Sequence, residues 1–245
     1  MPRFYIDTPL SQSQIGQEIA LSDTIYHHWC KVLRAKIGDT GILFDGNGGE
    51  YAVCLTDIDK KHAKVKLQAF NPINRTPSFA ANLGLVMSKG DRMDYAIQKA
   101  CEMGVASIQL LTSERCQEYL KYERDKKKIA HWQGVAVAAC EQCGLNLIPT
   151  ILPPLELTDF VKNCQDELKL VLAVSDGQVD FGKFRGNFPK TISLLIGGEG
   201  GLSPAEIDFA TSHDFLSWTI GERVLRTETA PVVALTALQI LSENK

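Results

Sequence analysis

Hydrophobic residues follow two different rhythms along the 245 residues. Over roughly the first seventy they alternate with polar ones or form short runs between turn formers. Arg3–Ile6 and Ile19–Leu21 are short predicted strands. Gly41–Phe44 runs into Asp45-Gly46-Asn47-Gly48-Gly49 and returns as Tyr51–Ile58, which predicts a hairpin. Asp59-Lys60-Lys61 turns the chain into Ala63–Phe70, where Val65, Leu67 and Ala69 share one face. One short helix, capped by Ser22 or Asp23, is expected over 23–33. A small β-barrel with one helix closes this pattern. Asn71-Pro72 and Thr76-Pro77 read as the linker after it, so the expected domains are 1–72 and 73–245.

From residue 80 strands alternate with helices. Ala81–Val86, Ser107–Leu111, Leu170–Val174, Ile192–Ile196 and Phe215–Ile220 are predicted strands. Leu170–Val174 and Ile192–Ile196 are apolar runs, broken only by Ser193, as strands buried on both faces should be. Helices are predicted over Asp91–Met103, stopped by Gly104, and over Asp125–Cys143, stopped by Gly144. Ser203-Pro204-Ala205-Glu206 is a capping box with proline in the first turn, opening a helix to about His213. A last helix covers Thr229–Ser242. The alternation predicts an α/β domain with a mainly parallel sheet.

Ligands of such sheets bind at the carboxyl ends of the strands. Two ends are unusual here. After Ile196 come Gly197-Gly198-Glu199-Gly200-Gly201, whose missing Cβ atoms let a ligand approach the backbone. The run lacks the lysine and hydroxyl of a Walker loop and the spacing of a dinucleotide fingerprint. After Ile220 come Gly221 to Thr229, with Arg223, Arg226, Thr227 and Glu228 close together. Helix capping accounts for a threonine and the glutamate. Two arginines beside a strand end suit phosphate, carboxylate or charge that develops during a reaction.

Charge refines the picture only locally. The net charge of -3 leaves no globally basic footprint. Local basic patches are Lys60, Lys61, Lys64 and Lys66 in one hairpin, and Lys121 through Lys128 in one predicted helix. Seven scattered cysteines and no membrane-spanning apolar run suit reduced thiols in a cytoplasm. Cys140 and Cys143 end a predicted helix, whereas a redox pair would start one, and no second pair completes a zinc set. His27 and His28 read as packing or surface residues.

Taken together, Ile196–Ser203 and Gly221–Ala230 resemble the signature of bacterial small-subunit (16S) ribosomal RNA uridine-N3 methyltransferases, the RsmE-type branch of the SPOUT superfamily. The similarity extends to Lys89–Met93, Gln98–Val105, Ser113–Cys116, His28–Arg34 with Gly38-Asp39, and Phe44–Tyr51. It covers nearly the whole chain in order. One departure is Gly198, where the family usually has proline; glycine there raises the entropy of ordering the loop. The resemblance implies a PUA-like β-barrel ahead of a trefoil-knotted α/β domain, and a homodimer. It implies S-adenosylmethionine as cofactor, no metal, and 16S ribosomal RNA within the small subunit as partner. A knotted methyltransferase for another base or RNA, or a non-catalytic RNA-binding member, is the alternative.

On this reading Val174, Gly197, Glu199, Gly200, Ile220, Gly221, Arg223, Leu225 and Thr227 hold the cofactor, much of it through backbone. Arg226 stabilises charge on the reacting base. Glu199 accepts a proton or organises the glycine loop. Arg3, Lys31, Arg34 and Arg92 contact RNA phosphates, which position RNA without selecting sequence.

Overall fold

The computed structural model describes residues 1–116, 122–174 and 179–243, with the side chains of 122–125 outside the description. It divides into two units. The first is Met1–Arg75 with Cys140–Ile148; the second is Thr76–Ala139 with Pro149–Lys245.

In the first unit, β1 (Arg3–Tyr5), β2 (Glu18–Ala20), β3 (Thr40–Phe44), β4 (Glu50–Ile58) and β5 (Ala63–Asn71) form a sheet in the order β1-β3-β4-β5-β2. β1 runs parallel to β3, and the other pairs are antiparallel. β1 and β2 are the ends of this strand order, and the sheet with its short helix is the small β unit that the sequence pattern predicted. Helix α1 (Asp23–Tyr26), capped by Ser22, and Trp29 complete the core with Phe4, Leu43, Val53, Val65 and Leu67.

The expected helix over 23–33 is regular only as far as Tyr26. His27–Val32 is a π-helical stretch that closes with Leu33 N–H on His28 O, 2.9 Å away. The widened turn leaves Trp29 2% exposed and packed on Phe4, ring centroids 5.2 Å apart. Arg34 then stops it with a φ of 57°.

A second cluster pins Cys140–Ile148 to the same unit. Glu50 opens β4 and is 6% exposed. Its carboxylate accepts from Arg3 at 2.5 Å, Arg75 at 3.0 Å and Asn146 Nδ2 at 3.2 Å. Arg3 also donates to Asn146, and Arg75 to Gly144 O. Phe44, Cys140 and Leu145 form the apolar counterpart.

The second unit is built on six parallel strands in the order β11-β9-β10-β6-β7-β8. They are β6 (Ala80–Val86), β7 (Ser107–Thr112), β8 (Thr150–Glu156), β9 (Leu168–Leu172), β10 (Thr191–Ile196) and β11 (Leu216–Trp218). The helices are α2 (Asp91–Glu102), α3 (Tyr122–Cys143), α4 (Leu157–Asn163), α5 (Pro204–Thr211) and α6 (Ala230–Glu243). On α2, Met93, Ala96, Ile97, Ala100 and Cys101 are buried at the 3–4 residue spacing of one helix face. The central strands are mainly apolar, as strands covered by helices on both faces are. A parallel sheet between helices was the sequence expectation, and the alternation of elements produces it.

β8 and α4 were not expected. Pro153 and Pro154 lie inside β8, and proline lacks the N–H of a ladder. An edge strand tolerates it, and β8 is the edge, with a register shift opposite Gln109–Leu111. Val174 is not the end of a strand: pairing of β9 with β11 stops at Leu172, leaving Val174 63% exposed beyond it. Lys121 lies outside the described residues, while Lys126, Lys127 and Lys128 ride on α3. No described helix is long and apolar enough to cross a membrane.

Candidate active site at the carboxyl edge of the parallel sheet

β10 is buried along most of its length and delivers the chain to the sheet edge at Ile196. There the loop doubles back on itself. A Cβ on Gly197 would lie 2.8 Å from Leu202 N, so only glycine allows the turn. Gly201 N–H closes it on Gly198 O at 2.9 Å. Arg115 Nη1 braces it from outside, 3.3 Å from both Gly200 O and Leu202 O. The predicted capping box follows: Ser203 Oγ accepts from Glu206 N–H, and Glu206 returns to Ser203 N–H at 2.7 Å. The other oxygen of Glu206 accepts from Glu114 N–H at 2.8 Å.

The second loop leaves β11 at Trp218. Thr219 Oγ1 donates to Ala173 O at 2.9 Å, tying the ends of β11 and β9 together. Gly221 has a φ of +73°. From Ile220 to Leu225 the backbone makes no hydrogen bond to another described residue. Arg226 O accepts from Thr229 and Ala230 N–H, which starts α6.

The two loops and the end of β9 enclose a cavity of about 280 Å³. Ile196, Leu202, Trp218, Ile220 and Leu225 give it apolar walls, and Gly197, Gly198, Gly201 and Gly221 give it bare backbone. A mostly apolar cleft with a few fixed polar groups is how proteins hold a nucleoside-sized ligand. The residues therefore fit S-adenosylmethionine: apolar faces for the adenine, unpaired backbone for its edge and for the polar amino-acid end.

Seven of the nine expected cofactor residues line this cavity: Val174, Gly197, Ile220, Gly221, Arg223, Leu225 and Thr227. Glu199 and Gly200 do not. A Cβ on Gly200 would point at Arg115 Cβ, 3.1 Å away, because the turn that Gly197 makes rotates Gly200 outward. Glu199 faces Arg92 at 2.5 Å and accepts from Lys89 N–H at 3.3 Å. The hydrogen bond from Arg92 holds its carboxyl below the usual range. These two contacts tie the Glu199 carboxylate to the segment between β6 and α2, outside the cavity. The Arg226 side chain is 79% exposed, and Glu228 lies 3.8 Å from its guanidinium.

The four residues expected at RNA have different surroundings. Arg3 is corrected: its side chain is 14% exposed and locked onto Glu50 and Asn146, so its charge is already spent inside the first unit. Lys31 stands over the Tyr26 ring at 5.1 Å, and hydrogen bonding to Tyr26 raises its pKa. Arg34 is exposed on its left-handed backbone. Arg92 is half-exposed and paired with Glu199. Lys64 and Lys66 point to solvent from β5. Of the CxxC pair, Cys140 is buried and its thiol is pushed up to about 12 by desolvation, which keeps it protonated and inert.

Trp218, Leu202 and Ala230 of the cavity were not singled out from sequence. Each looks like an ordinary core residue, and only the return of α6 beneath the two loops makes it a wall. The Glu50 cluster was missed too, since Asn146 is 96 positions away.

Comparison with known proteins agrees with this geometry. Residues 75–239 match the model of the RNA methyltransferase domain, and residues 21–68 that of the RNA methyltransferase PUA domain. Ribosomal RNA small subunit methyltransferase E of Buchnera aphidicola is 35% identical over 98% of this chain and 94% of its own. The Bacillus subtilis protein of that name is 29% identical over 99% and 98%. Among solved structures, ribosomal RNA small subunit methyltransferase E of Neisseria gonorrhoeae, bound to S-adenosyl methionine, superposes with a TM-score of 0.89 at 35% identity, covering 98% of both chains. Lpg2936 of Legionella pneumophila, in complex with SAM, superposes with 0.88 at 36% identity, covering 97% of this chain and 96% of that one. The chain belongs to the ribosomal RNA small subunit methyltransferase E family of RNA methyltransferases.

Proposed function

We propose that the protein transfers a methyl group from S-adenosylmethionine to N3 of a uridine in 16S ribosomal RNA. The observation that carries this is the strand-end cavity of bare glycine backbone and apolar walls, in a chain whose relative with bound S-adenosyl methionine matches it over 98% of its length. Bound S-adenosylmethionine supplies an electrophilic methyl group. The chain's own work is to place it in a dry site and to manage charge on the acceptor.

The neutral imide nitrogen of uridine is a poor nucleophile and must pass its proton to a base, solvent water at the mouth of the site, as it takes the methyl group. Negative charge then spreads to the flanking carbonyl oxygens. Arg226 is the residue assigned to it: the guanidinium is exposed, weakly paired and one turn ahead of α6, so it is available to an incoming base. At 3.8 Å Glu228 is too far for a hydrogen bond, so among the described residues the planar fork keeps its donors for that role. Arg223 and Thr227 belong to the cofactor wall. Lys31 and Arg34 of the first unit are assigned to RNA phosphates.

A homodimer and a knotted course of the C-terminal segment belong to the same reading. Val224 and Ile240, 86% and 57% exposed, are apolar positions that a second copy would cover. A ribosomal substrate implies a cytoplasmic location. Purified protein incubated with methyl-labelled S-adenosylmethionine should label RNA of unmodified small subunits and leave large subunits unlabelled. Label in the large subunit, or in neither, would overturn the proposal.

A further inference from the structure

The strand-end cavity changes character from floor to rim. Ile196, Leu202 and Trp218 form a buried, apolar floor. Val174, Val224 and Arg223 are exposed and form part of the rim. Arg223 is the one charged residue among the described residues that line the cavity. It is in no ion pair with another described residue. The other arginines near the glycine loop are engaged: Arg92 is held by Glu199, and Arg115 by the loop carbonyls.

A guanidinium at the rim of an apolar cleft sorts the two ends of a ligand. The adenine of S-adenosylmethionine is flat and weakly polar and suits the floor. The amino-acid end carries an ammonium and a carboxylate, and only the carboxylate matches the planar donor fork of an arginine. The same cation also sorts donor from product. S-adenosylmethionine carries a sulfonium, an ammonium and a carboxylate, so it has one net positive charge. On transfer the carbon–sulfur bond to the methyl group breaks and the sulfur keeps the bonding pair. S-adenosylhomocysteine is therefore a thioether without net charge. A sulfonium and a guanidinium at opposite ends of the methionine chain, about 8 Å apart, repel at an effective dielectric of about 40 by an amount worth ~5-fold in affinity. The product is free of that repulsion and keeps the carboxylate contact.

We propose that Arg223 receives the carboxylate of the cofactor's amino-acid end, and that its charge biases the cavity toward the neutral product S-adenosylhomocysteine over the cationic donor. This rests on the methyltransferase reading above. It separates the two arginines of the Gly221–Thr229 loop by task. Arg223, on the cavity rim, binds the cofactor and sets its charge selectivity. Arg226, outside the cavity lining, is left for the acceptor base.

The test is calorimetric and needs no RNA. Wild type, Arg223→Gln and Arg223→Lys are titrated with S-adenosylmethionine, S-adenosylhomocysteine and methylthioadenosine, which keeps the adenosine and the thioether but lacks the amino-acid end. Arg223→Gln should melt as wild type does, because the residue is exposed. It should bind S-adenosylhomocysteine at least ~10-fold more weakly, the scale of one lost hydrogen bond to a charged group. Its loss for S-adenosylmethionine should be smaller by at least ~3-fold, because repulsion is removed together with attraction. Methylthioadenosine should bind both proteins alike. Arg223→Lys should keep most of the bias, which follows charge, and lose part of the affinity, which follows the fork. Equal losses for all three ligands would make Arg223 a piece of wall and overturn the proposal. Equal losses for donor and product, with methylthioadenosine unaffected, would overturn the charge bias. Wild-type protein that binds none of the three would count against the methyltransferase reading itself. A wild type that binds them, with Arg223→Gln indifferent, counts against this role of Arg223 alone.

Discussion

Replacing Glu50 by Gln removes one charge from the first unit and almost nothing of its shape. The carboxylate is 6% exposed and held by Arg3, Arg75 and Asn146. Burial pushes its pKa up, but the hydrogen bonds from Arg75, Arg3 and Asn146 pull harder, from 4.5 to about 2. At about 1.4 kcal/mol per tenfold change, that difference corresponds to about 3 kcal/mol of stability at neutral pH. Leaving Arg3 buried without its partner gives a cost of similar size, about 3–5 kcal/mol. The folded-state pKa is the depressed one. The contribution is therefore complete above the unfolded value near 4.5 and is lost as pH falls toward 2. Urea unfolding, read by amide exchange in β3 and β4, should show Glu50→Gln less stable by about 3 kcal/mol at pH 7 and by about 1.4 kcal/mol at pH 3. A deficit under ~1 kcal/mol at pH 7, the scale of an exposed pair, would refute the reasoning. So would a deficit that does not shrink at pH 3.

Three further perturbations probe the site. Ala230→Phe places a ring in the cavity of about 280 Å³; calorimetry should show S-adenosylmethionine affinity lowered at least ~10-fold, the low end of overpacking costs, and an unchanged value would put the cofactor elsewhere. Arg226→Lys keeps charge but loses the planar fork, so turnover should fall at least ~100-fold with cofactor affinity little altered; near-normal turnover would remove Arg226 from the chemistry. Arg34→Gly relieves a left-handed backbone, φ 57°, and should raise stability by about 1 kcal/mol while weakening RNA binding and lowering its salt slope by about one ion. Equal RNA affinity across a salt titration would make Arg34 a structural terminator.

The parallel core was legible because Leu170–Leu172 is apolar without interruption and Ile192–Ile196 is broken only by Ser193, and strands covered on both faces read that way. The Ser203 capping box and the two strand-end loops were legible for the same reason: backbone geometry dictates residue type there. Periodicity was silent where tertiary contact decides. Pro153 and Pro154 disguise β8, which edge position alone permits. Arg3 reads as surface charge until Glu50 and Asn146 are brought to it from distant segments. Gly200 reads like its neighbours, but the turn at Gly197 aims it at Arg115. Glu199 is one residue from the cavity-lining Gly198 and faces the opposite way, toward Arg92. A one-residue change of direction within a loop carries no signature in composition.

The central claim is that a uridine nitrogen in 16S ribosomal RNA receives the methyl group. Nucleoside mass spectrometry of small subunits lacking the modification, after incubation with the protein and S-adenosylmethionine, measures it directly. The account predicts one new N3-methyluridine per 16S RNA, absent when Arg226 is replaced by lysine. A methyl group on carbon 5, on a ribose hydroxyl or on another base would contradict it.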